Sequence, residues 1–318
     1  MKDARVIVVS DQEPGLPYSK GLRASELMVT GLSPFRAYQV AEEVEERLLS
    51  EGTETVTREQ LNELTVVVLS DLAGERYAKN FLRWQSIEKL DVPLVVLIGG
   101  ATGVGKSTIA TQLAVRLGIV RVSGSDAVRE VMRAMLTSQL MPTLYTSSFD
   151  AGAVLLEPPT RTADQVIVGF REQTAAVSVG VNALVARAGM EGTSTVIEGA
   201  HVVPGFYDLE AQHDRILAVP VVVTVDEEET HRSHFMTRTA GRGPAERYLA
   251  AFPNIRRVQK YIKSQALSHG VPVIPNYNLD QALTALMDLV VERAAARLAQ
   301  RETDRPATPK TILEGATG

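Results

Sequence analysis

Between residues 94 and 275 the chain alternates short apolar runs with longer stretches in which apolar residues return every three or four positions. The runs are LVVLIGG, RVSGSD, STVIEGA, VPVVVTVD and VPVIPN. Near-continuous β-branched runs separated by helical stretches predict parallel strands buried on both faces. Five such runs predict an α/β fold with a five-stranded sheet and helices on both of its faces.

Upstream the pattern changes. RVIVVS reads as a short strand and DQEPGLPYSKG as a turn-rich stretch, and helical patterns follow around residues 24–29, 37–49 and 59–72. Short helices need one another to bury their apolar stripes, so this region predicts a small α-rich domain. A linker near Leu90, Asp91 and Pro93 sets the expected domains at 1–90 and 91–300. The remaining stretch, 301–318, is polar and rich in Pro, Thr and Gly, and predicts a disordered tail. No internal repeat is visible.

Composition narrows the function classes. A length of 318 residues with 45% apolar content supplies material for a core, and a net charge of -5 argues against a nucleic-acid binder. There is no cysteine, which excludes disulfides, thiolate metal sites and cysteine nucleophiles. No run approaches the roughly 18 apolar residues of a spanning helix, and the N-terminal apolar run is too short for a signal peptide. The expectation is a cytoplasmic protein with no membrane partner; the oligomeric state is left open.

The first apolar run leads into GGATGVGKST, residues 99–108. Gly100, Gly105, Lys106 and Ser107 complete G-x-x-x-x-G-K-[ST], here in its required setting between a strand and a helix. Glycines let backbone N–H groups converge on phosphate oxygens, and the helix that follows points its positive end at them. Gly100, Thr102, Gly103, Val104, Gly105, Lys106, Ser107 and Thr108 are therefore the candidate nucleotide-binding residues. Lys106 is expected against the β and γ phosphates, and the Ser107 hydroxyl on Mg²⁺.

Candidates for the acceptor side come next. In SGSDAVREVMRAML, a helix starting at Ser125 or Asp126 brings Asp126, Arg129 and Arg133 to one face above the carboxyl ends of the strands. Asp126 can orient a substrate hydroxyl and take its proton, and the arginines can grip an anionic substrate. Glu198 ends the third run beside the phosphate loop, where a carboxylate holds the Mg²⁺ shell. His201, three residues on, is a candidate substrate contact.

From residue 232 to 263 the chain carries eight basic residues, Arg232, Arg238, Arg242, Arg247, Arg256, Arg257, Lys260 and Lys263, against one acid, Glu246. A solvated helix face usually interleaves both signs. The Gly-rich TAGRG turn within the stretch suits a mobile lid that closes over a nucleotide, excludes water and brings Arg238 and Arg242 to the transferring group.

Taken together, GGATGVGKSTIA, SGSDAVREVMR, VIEGAHVVPG, EEETHRSHFMTR, RYLAAFPNIRRVQKYI and VPVIPN resemble the 2-phosphoglycerate kinase family over residues 90–290. The N-terminal stretch, with PYSKG and VTREQLNEL, resembles an ATP-cone, and makes Lys20 a candidate contact for a regulatory nucleotide. The resemblance implies an adenylate-kinase-like P-loop kinase fold with a lid, ATP and Mg²⁺, and phosphorylation of 2-phosphoglycerate to 2,3-bisphosphoglycerate. The partner it implies is a small anionic phosphorylated metabolite, which the arginines suit. A phosphorylated cyclitol such as an inositol phosphate asks for similar arginines. A nucleotide-responsive regulator that makes no product, and more remotely a DNA motor, are the readings from other classes.

Overall fold

The computed structural model describes residues 7–10, 15–88, 90–157, 159–238 and 245–304, with backbone alone for 86–88, 237–238 and 302–304. The N-terminal region opens with β1 (Val8–Val9), β2 (Leu16–Pro17), α1 (Lys20–Leu27) and α2 (Pro34–Ser50), followed by β3 (Thr55–Val56), α3 (Arg58–Leu72) and α4 (Glu75–Glu88). Helix starts follow local chemistry: Ser33 caps α2 with Pro34 at its first position, and Thr57 and Gln60 form a reciprocal capping box on α3. Leu27, Ala37, Ala41, Val44, Val68 and Leu69 are completely buried in one core with Ile7 and Val56.

The α-rich expectation holds for the helices, but β1 also pairs antiparallel with β2 and parallel with β3. β1 lies within the RVIVVS run that reads as a strand, whereas β2 and β3, of two residues each, carry no periodicity for the pattern to show. Helix α4 was also not anticipated. Its Ala78 and Phe81 belong to the N-terminal core while Trp84 packs against the large core of the following region, so one helix serves both.

Next come β4 (Leu94–Gly99), α5 (Lys106–Arg116), β5 (Arg121–Gly124), α6 (Ser125–Met135), α7 (Gln165–Glu191), β6 (Thr195–Gly199) and β7 (Leu217–Thr224). They are followed by α8 (Glu228–Arg238), α9 (Ala245–Ala250), α10 (Phe252–Ser268), β8 (Val273–Pro275) and α11 (Leu279–Asp304). All five expected strands form one parallel sheet in the order β5-β6-β4-β7-β8. Along β4, Val96 and Ile98 point into a core shared with α5, α10 and α11, whereas Val95 and Leu97 point into a core shared with α7. Covering the sheet on both faces is what makes these strands read as continuous apolar runs.

One strand departs from that expectation. RVSG was read as buried on both faces, yet β5 is the edge of the sheet, with Arg121 and Val122 exposed. Helix α11 continues to Asp304, four residues into the expected tail. Among the described residues no helix is long and apolar enough to cross a membrane.

Candidate active site

Central strand β4 delivers the chain into the phosphate loop, and Lys106 opens α5 directly behind it. The N-terminus of α5 thus presents unsatisfied N–H groups and the positive end of its dipole to the loop. Gly103 and Gly105 have φ of +87° and +89°, and a Cβ at either would overlap the Phe235 ring or the Asn276 amide respectively. Both the dihedral and the space require glycine. A cavity of about 370 Å³ lies over Gly103, Gly105, Lys106, Ser107 and Thr108, walled by His234, Asn276, Tyr277 and Leu279.

Lys106 is buried, and its ammonium donates to the Ala101 carbonyl at 2.9 Å. The Ser107 hydroxyl donates to Glu198 Oε1 at 2.9 Å. Strand register explains the meeting: β6 pairs with β4 so that Glu198 lies opposite Ile98, at the carboxyl end of the sheet. The two oxygens test the Mg²⁺ expectation. Both are hard donors, and neighbouring ligands in an octahedron with 2.0–2.1 Å bonds stand about 2.9 Å apart, the separation found here.

On the other side of Glu198 stands the start of α6. β5 sets Gly124 opposite Glu198, and Gly124 is the N-cap position of the helix, which opens at Ser125, the first of the two starts the sequence allowed. Ser125 turns inward and is buried, whereas Asp126 faces out with 76% of its side chain exposed. Arg129 and Arg133 lie further along the helix but do not stand alone. Arg129 donates to the Thr146 carbonyl at 2.7 Å and to Glu130 at 3.2 Å, and Arg133 donates to both Glu130 oxygens at 2.8 Å. Arg133 also lies over the Tyr145 ring, 4.9 Å from its centroid. The Arg133 hydrogen bond is the main reason the Glu130 carboxyl is held below the usual carboxylate range. The Nε atoms of both arginines are buried and have no hydrogen-bond partner.

His201 does not line the cleft. It is fully buried beneath Asp126, with Nδ1 3.0 Å from Ser125 Oγ, Nε2 2.9 Å from Gln173 Oε1, and Asp126 Oδ1 at 4.0 Å. Gln173 uses its Nε2 to donate to the Thr143 and Thr146 carbonyls, which turns its Oε1 toward the imidazole. The network therefore puts the proton on His201 Nε2 and leaves Nδ1 to accept from Ser125. Burial pulls His201 down to about 4; the Asp126 charge opposes this, and the Arg129 and Lys106 charges add to it. At neutral pH the ring is uncharged and supports the floor of the site.

The basic stretch is resolved in space rather than in sequence. Arg247 donates to Ser147 Oγ at 2.7 Å beside Asp150, Lys263 pairs with Asp226 at 2.9 Å, and Arg257 lies 3.8 Å from Asp164. Arg256 donates to the Val225 and Asp226 carbonyls at 2.6 Å, and Arg232 lies over Phe252 at 4.0 Å. The balancing acids come from other segments, so a count along the chain overstates the free positive charge. Arg242 and the TAGRG turn lie outside the described residues, as does the side chain of Arg238. Glu130, Gln173, His231, His234 and Asn276 were not singled out; all but Gln173 lie in the stretches that carry the resemblance, but their roles depend on partners distant in sequence or on a neighbour's charge.

No family model matches the chain. A 2-phosphoglycerate kinase from Pyrococcus furiosus is 36% identical over 304 residues, covering 96% of this chain and 99% of that protein. Proteins of the same name from Thermococcus kodakarensis and Methanothermobacter thermautotrophicus are 39% and 38% identical, covering 89% and 88% of this chain and 96% and 92% of theirs. Among solved structures, a gluconokinase from Sinorhizobium meliloti aligns with 66% of this chain and 96% of its own at 15% identity and a TM-score of 0.36. With a phosphate loop on β4, parallel strands to either side, and identity above 30% along nearly the whole of each relative, the chain belongs to the 2-phosphoglycerate kinase family.

Proposed function

We propose that the protein transfers the γ-phosphoryl group of ATP to the free hydroxyl of 2-phosphoglycerate, giving 2,3-bisphosphoglycerate and ADP. The observation that carries the reading is contiguity: Lys106 and Ser107, then Glu198, then the start of α6 with Asp126 form an unbroken line across the carboxyl ends of three adjacent strands. ATP occupies the cavity over the loop with its phosphates on the α5 N-terminus. Mg²⁺ held by Ser107 and Glu198 would neutralise charge on the phosphate oxygens.

The acceptor enters on the α6 side. Its hydroxyl oxygen attacks the γ-phosphorus in line, the bond to the β–γ bridging oxygen breaks, and the hydroxyl proton passes to the Asp126 carboxylate. Lys106, shifting from the Ala101 carbonyl, stabilises charge on the transferring group. Arg129 and Arg133 suit an acceptor carrying both a phosphate and a carboxylate, which could replace their present carbonyl and Glu130 partners. Arg238 and Arg242 supply further cations over the phosphoryl group. The N-terminal region, residues 1–90, serves as a nucleotide-sensing domain in this reading. There Lys20, now 3.0 Å from Glu45, is a contact released to the nucleotide.

Coupled ADP release with Mg·ATP tests the reading, with 2-phosphoglycerate compared with 3-phosphoglycerate, glycerate and inositol phosphates. Turnover on 2-phosphoglycerate well above the others is expected. Faster turnover on an inositol phosphate moves the acceptor to a cyclitol, and ATP binding without turnover on any acceptor leaves a nucleotide-responsive regulator.

A further inference from the structure

Three consecutive carbonyls of the phosphate loop are each tied from outside it. Thr102 O lies 2.9 Å from His231 Nε2, Gly103 O lies 2.9 Å from His234 Nδ1, and Val104 O accepts from Asn276 Nδ2 at 2.9 Å. The tying residues stand 129, 131 and 172 positions further along the chain, two on α8 and one just after β8. The loop's own turn does not produce this arrangement; the packing of two distant elements does.

Proton positions follow from the partners. A guanidinium only donates, and Arg256 Nη1 lies 3.4 Å from His231 Nδ1, so that nitrogen accepts and Nε2 carries the proton directed at Thr102. A carbonyl only accepts, so His234 holds its proton on Nδ1, toward Gly103. Phe235, next after His234 on α8 and stacked on the His231 ring, fills the space that a side chain on Gly103 would need.

A trans peptide unit directs its C=O and its N–H to opposite sides. Turning the carbonyls of residues 102, 103 and 104 outward therefore turns the N–H groups of Gly103, Val104 and Gly105 inward, where phosphate oxygens bind. A glycine-rich loop without these ties has the freedom to rotate a carbonyl inward, and ordering it would then fall on the nucleotide. We infer that His231, His234 and Asn276 are positioning residues that hold the phosphate loop in its anion-receptive conformation before ATP arrives. The inference rests on the nucleotide half of the proposed function and is independent of the acceptor.

Calorimetric titration of the full chain with Mg·ATP reads the effect directly. Each of His231→Leu, His234→Ala and Asn276→Ala is expected to weaken ATP about fivefold, the cost of one neutral hydrogen bond, with KM for 2-phosphoglycerate unchanged. His231→Gln and His234→Asn keep an N–H near the lost donor and are expected to bind within about twofold of the native chain. The His234→Asn protein also separates the tie from direct contact with nucleotide, since it gives up the rest of the imidazole. The inference is overturned if the Leu and Ala proteins bind ATP like the native chain, or if the Gln and Asn proteins lose as much as they do. Circular dichroism and thermal melting come first, and a His231→Leu protein that does not fold leaves His234 and Asn276 to decide by the same criteria. A native chain that binds ATP without using 2-phosphoglycerate removes the acceptor and leaves the inference standing; one that does not bind ATP removes both.

Discussion

In the half of the cleft proposed for the nucleotide, the groups on offer are mostly backbone N–H groups, shaped by Gly103 and Gly105 and backed by uncharged donors, with one buried cation, Lys106. In the half proposed for the acceptor they are charged side chains on one helix, with Asp126 exposed and Arg129 and Arg133 held by Glu130 and the Thr146 carbonyl. The first half is set by the glycine dihedrals and by hydrogen bonds from outside the loop. The second is held by ion pairs that a substrate anion can replace, so selectivity is adjustable there without disturbing nucleotide binding.

Removing the one cation of the backbone half is the severest way to test the contrast. Lys106→Ala is expected to lower kcat by roughly three orders of magnitude, at the upper end for a single transition-state donor, with the melting temperature little changed. Steady-state ADP release measures it, and a loss of less than tenfold would contradict the role given to Lys106.

Each half also rests on a buried neutral histidine, His231 under the phosphate loop and His201 under Asp126. Burial lowers both to about 4, from the ordinary 6.5. Between those values the unfolded chain takes up a proton that the folded chain refuses, so stability is intact above pH 6.5 and falls as the pH drops toward 4. The gap is worth on the order of 3 kcal/mol for each ring. Urea unfolding at pH 7.5 and at pH 4.5 should show the decline, and His201→Gln should flatten part of it. An unchanged slope in that variant would mean the ring is not held neutral.

The two halves should separate kinetically on the acceptor side. Asp126→Asn is expected to lower kcat roughly a hundredfold, the usual scale for a lost general base, while calorimetric ATP affinity stays within about twofold. A parallel loss of ATP binding would show that the halves are not independent. Arg129→Lys keeps the charge but gives up the planar fork, so KM for 2-phosphoglycerate should rise about tenfold with a smaller change in kcat. A KM that does not move would relocate the acceptor's anion away from α6.

Much of the backbone half was legible in sequence, because a glycine spacing between an apolar run and a helix start is a local signal. The five strands and the start of α6 at Ser125 were legible for the same reason. Glu198 was found from its place at a strand end, and register then brought it to Ser107. His201 shows where local reading stops. Position put it beside the cleft, but Gln173 on α7 and Ser125 on α6 draw it inside, and only the packing of two helices reveals that. The ties on Thr102, Gly103 and Val104 were invisible for a stronger reason: their donors lie more than a hundred residues away, and His and Asn carry no mark of what they will meet.

The smallest effect is expected where the sequence looked most functional. Lys263 belongs to the basic stretch, yet its ammonium lies 2.9 Å from both oxygens of Asp226, in a pair that is about as exposed as it is covered. Exposed pairs of this kind contribute between nothing and about 1 kcal/mol, since water and salt screen what the geometry gains. Lys263→Met should therefore shift urea unfolding by less than about 1 kcal/mol at low salt, and by less again in 0.5 M salt, with the kinetics unchanged. If the stretch instead acts as one field over the cleft, neutralising any member should raise KM for ATP or for the acceptor in a salt-dependent way. An increase of threefold or more in the Lys263→Met protein would favour the field, and would return to the whole stretch the role that its partners Asp150, Asp164 and Asp226 now take from it.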